Sequence, residues 1–107
     1  MIHLLVVLPA GAQPANLTGR RSSVEVLLAH GADEAVEKIA RNRRLDGVLL
    51  LAGAENAAIA AAIREDNLAP PPFFLPDSAQ DLPGARRLPA DEPGRLLDLI
   101  ARELQAD

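Results

Sequence analysis

The sequence predicts one α/β domain built on a parallel sheet, and three observations predict it. Short apolar runs of strand length recur at residues 3–8, 24–29, 48–51 and 73–75. Helical periodicity fills the intervals 32–44 and 55–67. Glycine and proline punctuate the junctions at Pro9, Gly11, Gly31, Gly53 and Pro70-Pro71-Pro72. Strands that alternate with helices pair in parallel through right-handed crossovers. A chain of 107 residues suits one core, so residues 1–107 are read as a single domain without a linker or repeat.

The elements follow in order. Residues 3–8 are continuously apolar after His3, which suits a strand buried on both faces. Residues 9–23 hold two prolines and two glycines without helical period and are expected to be mostly loop. A second strand at 24–29 stops at Gly31. The helix at 32–44 carries Asp33, Glu34 and Glu37 early and Arg41, Arg43 and Arg44 late, which complements its dipole at both ends. Its apolar stripe is Ala35, Val36, Ile39 and Ala40.

The third strand at 48–51 is the most apolar. In the following helix at 55–67, Ala58, Ile59, Ala62 and Ile63 are expected to face inward. A short strand at 73–75 follows the prolines. Residues 76–85, with Pro76, Pro83 and Gly84, are too broken for more than a turn or two of helix. Residues 86–88 suit a short edge strand. Asp91 is placed to cap a last helix with Pro93 in its first turn, running to about Gln105.

Composition excludes several function classes. There is no cysteine, so thiolate catalysis, disulfides and cysteine-held metals are out. Phe73 and Phe74 are the only aromatics, too few to stack the bases of single-stranded nucleic acid. A net charge of −4 disfavours nucleic acid and anionic membrane as partners. No apolar run nears the roughly 20 residues of a membrane span. Residues 2–8 lack the basic start of a leader peptide, so they read as the first strand of a cytoplasmic protein. Neither G-x-G-x-x-G nor G-x-x-x-x-G-K-[ST] is present, which argues against a nucleotide site and leaves no cofactor implied.

The run V-x-x-x-x-A-x-x-x-x-E-A-V-x-x-I, followed by L-D-G-V-L-L-L within residues 24–51, resembles bacterial response-regulator receiver domains. D-E-P-G-R-L-L-D-L-I-A-R-E-L resembles the last helix of that family. The resemblance implies a flavodoxin-like, three-layer domain with five parallel strands ordered 2-1-3-4-5. The family's first helix belongs in 9–23 and its fourth in 76–85, and both stretches are eroded here.

Receivers imply two acids after strand 1, a phospho-acceptor aspartate after strand 3, a hydroxyl after strand 4 and a lysine after strand 5. These positions fall here near Leu8 and Pro9, on Leu51 or Ala52, near Pro76 with Ser78 beyond, and near Pro89. Magnesium prefers carboxylate oxygens, and phosphoryl transfer needs that cation to offset developing charge. Leucine and proline supply neither. The expectation is a pseudo-receiver that is not phosphorylated and not an enzyme.

Two function classes remain. The first is protein interaction in bacterial two-component signalling or regulation, with the chain itself or another protein as partner. Without the family's first helix, the last helix covers one sheet face alone, and an uncovered apolar patch marks a partner. Leu96, Leu97, Leu99, Ile100 and Leu104 form a stripe wider than one sheet contact needs and are the expected homodimer interface. The competing reading folds residues 12–21 over that face, with Leu17 as plug.

The second class is a small ligand in the crevice between strands 1 and 3, with Pro9, His30, Ala52, Gly53, Asp77 and Ser78 nearby. Open α/β sheets bind ligands beyond the carboxyl ends of their strands. A lone histidine in a loop is more commonly a hydrogen-bonded loop residue, and no triad or metal set accompanies His30. Arginines cluster before strands and acids begin helices. Dipole compensation explains that polarity, and an arginine-rich end that docks an acidic partner is the alternative.

Overall fold

The computed structural model describes residues 2–9, 24–41, 45–66 and 71–105. Strands β1 (Ile2–Leu8), β2 (Val24–His30), β3 (Gly47–Leu50), β4 (Phe73–Leu75) and β5 (Ala85–Arg87) form one sheet in the order β2-β1-β3-β4-β5. Every adjacent pair is parallel. Helices α1 (Ala32–Arg41), α2 (Asn56–Asp66) and α3 (Pro93–Gln105) complete a flavodoxin-like arrangement. Among the described residues, no helix is long and apolar enough to cross a membrane.

The central strand shows why its sequence is apolar without a break. Leu4 and Val6 face the layer that contains α3, whereas Leu5 and Val7 face the layer that contains α1 and α2, and all four are fully buried. A strand covered on both faces has no position for a polar side chain. Beneath α1 and α2, Ile39, Ile59 and Ile63 close on Val48, Leu50 and Phe73. On the opposite face Leu96, Leu97 and Ile100 close on Leu4, Val6, Leu49 and Phe74.

Several boundaries move by one residue. β3 begins at Gly47, which pairs with Leu4. A Cβ on Gly47 would lie 2.9 Å from the Phe74 ring and 3.3 Å from Leu4 Cδ1, so only glycine fits between them. α1 is preceded by Gly31 at φ 85, whose carbonyl accepts the Ala35 N–H at 3.2 Å. Extension of α1 to residue 44 lies outside the described residues, as does the expectation for residues 10–23. Residues 76–84 form turns and no helix, in line with the eroded fourth helix.

Two faces are corrected. In α1, Ala35 and Ile39 are buried and Val36 is half-buried, but Ala40 is exposed. In α2 the buried set is Asn56, Ile59, Ala60 and Ile63, whereas Ala58 is exposed and Ala62 half-buried. The helix is rotated because its first residue, a polar one, turns inward. A third correction concerns Asp91. Its Oδ1 accepts the Ser78 N–H at 2.8 Å, across from α3, which starts two residues later at Pro93. The side chain therefore ties the turn after β4 to the entry of α3.

Candidate functional site

In a sheet of this order the polypeptide crosses over in opposite directions from β1 and β3, and a crevice belongs at their carboxyl ends. Leu51 donates its N–H to the Val7 carbonyl at 2.8 Å, so β3 stays attached to β1 one residue past its assigned end. Leu8 is buried and Pro9 half-buried at the other wall. Leu51 packs partly into the α3-side core.

The β3–α2 connection then folds around one buried amide. Asn56 is 4% exposed; its Oδ1 accepts the Ala52 N–H at 2.8 Å, and its Nδ2 donates to the Leu50 carbonyl at 3.4 Å. Gly53 turns the chain at φ 62 into a 3₁₀ turn, Gly53–Glu55, where the Glu55 N–H meets the Ala52 carbonyl at 3.2 Å. A buried amide is tolerated only with such partners, since an unsatisfied one costs about 1–3 kcal/mol. Asn56 was missed from sequence because it sits among alanines at a helix start. Its clue is an asparagine three residues past a glycine turn.

The remaining crevice candidates lie on separate supports. His30 is half-buried, and its Nδ1 lies 3.7 Å from Glu34 Oε1, one turn into α1. Asp77 and Ser78 are exposed. Asp77 donates its N–H to the Ala90 carbonyl at 2.8 Å, parallel to the Ser78–Asp91 bond. The Ser78 hydroxyl and, secondarily, its N–H hold the Asp91 carboxyl below its ordinary range. Among the described residues, no group of three or more His, Asp or Glu side chains is placed to hold a metal ion.

The leucines expected to form an interface divide into two groups. Leu96, Leu97 and Ile100 are at most 2% exposed, so the sheet contact consumes them. Leu99 and Leu104 stay half-buried at the border of that core. Of the five-residue stripe, a second copy could reach Leu99 and Leu104 without opening the domain.

The arginine pattern also resolves into local contacts. Arg64 donates to the Pro83 carbonyl at 2.6 Å and lies 5.0 Å from the Phe73 ring centre. Arg41 pairs with Glu37 at 2.8 Å, one turn back in the same helix. Arg86 pairs with Glu103 of α3 at 2.7 Å, and Arg87 bridges Asp81 while donating to the Ala79 carbonyl at 3.1 Å. Arg20, Arg21, Arg43 and Arg44 lie outside the described residues. No protein-family model matches this chain, and neither the curated proteins nor the solved structures give a match.

Proposed function

We propose that this domain is a receiver-like scaffold that works by protein interaction and not by phosphoryl transfer, as part of a bacterial signalling or regulatory assembly. The observation that supports it most is the end of β3. Where a receiver would present an acceptor carboxylate, this chain has Leu51 against the α3-side core and Ala52, buried, bonded to Asn56. The acid positions after β1 fall on buried Leu8 and on Pro9. A phosphoryl group brought there would meet no carboxylate-bound cation to offset its charge.

Acetyl phosphate with magnesium tests this directly. Intact-mass measurement is expected to show an unmodified chain after incubation. A stoichiometric phosphoryl adduct that survives neutral pH and is lost on mild base would sink the reading, because it would reveal an acyl phosphate. Light scattering across a concentration series tests the interaction half, with self-association as the expected result.

A further inference from the structure

We draw no further inference here: the strongest candidate, the half-buried aliphatic patch Val26, Leu27 and Leu28 on the edge strand β2, adjoins residues 10–23 outside the described set, and nothing in the structure shows what covers it.

Discussion

The β3–α2 and β4–β5 connections are locked by opposite means. The β3–α2 connection is held from inside, by the Asn56 amide buried beneath Leu50 and Ala52. The turns between β4 and β5 are held from outside, by Arg64 on the Pro83 carbonyl, Asp91 on Ser78 and Arg87 on Ala79 and Asp81. Interior polar bonds have no water to replace them, so losing one strands its partner. Exposed bonds exchange readily with water and are screened by salt. The first connection is therefore a fixed part of the fold, and the second is the softer one.

The sharpest way to break this contrast is Asn56→Ala. It leaves the buried Ala52 N–H and Leu50 carbonyl without their partner, at a cost of about 1–3 kcal/mol. For a domain of this size each kcal/mol lowers Tm by about 4–8 °C. Asn56→Asp keeps an acceptor for Ala52 but buries a charge and removes the donor to Leu50, so it should be no better tolerated at neutral pH. A thermal scan that shows Asn56→Ala unchanged would mean that water enters the loop and the inside lock is not one.

On the outer connection the largest expected effect is at Gly84. Its φ of 79 lies in the left-handed region, and a Cβ there would sit 2.9 Å from Arg64 Nη2. Gly84→Ala should cost about 1–2 kcal/mol for the backbone alone, less than the upper range for Asn56 because the guanidinium can swing into water. The pairing with Arg64→Ala separates the causes. If displacement of Arg64 contributes, the double variant loses less than the sum of the single ones. Strict additivity would assign the whole effect to the glycine backbone.

Much of this architecture was legible because apolar runs and glycine punctuation are dictated by burial on both faces. The strand order and the three helices follow from that pattern, joined to the receiver resemblance. What stayed illegible were positions where one residue type can serve two partners. Asp91 precedes a helix and so resembles a cap, yet its carboxylate serves a turn that sequence places thirteen residues away. Asn56 resembles a surface residue of an alanine-rich helix, and its burial rotates the inner face from Ala58 to Ala60. Of the α3 stripe, Leu96, Leu97 and Ile100 pack with the sheet residues Leu4, Val6, Leu49 and Phe74, and Leu99 and Leu104 border that cluster. Gly47 hid the start of β3 because the Phe74 ring occupies the space a side chain would take.

The smallest effect expected is at Asp91, and its sign follows from linkage. The Ser78 hydroxyl and backbone N–H favour the carboxylate, so the folded state holds its proton less tightly than the unfolded state. That contribution is complete at neutral pH and is lost only as acid carries the solution below the ordinary aspartate range, under about pH 4. Asp91→Asn keeps an oxygen for the Ser78 N–H but removes the charge. It should lower the urea midpoint slightly at pH 7, and the gap from the parent should close as the pH is taken through the carboxylate range. The same comparison with added salt distinguishes the two locks again, since the Asp91 difference should shrink with ionic strength while the Asn56 difference should not. A salt-insensitive Asp91 effect would show that this surface bond is sheltered, and the outer connection would then be as firmly set as the inner one.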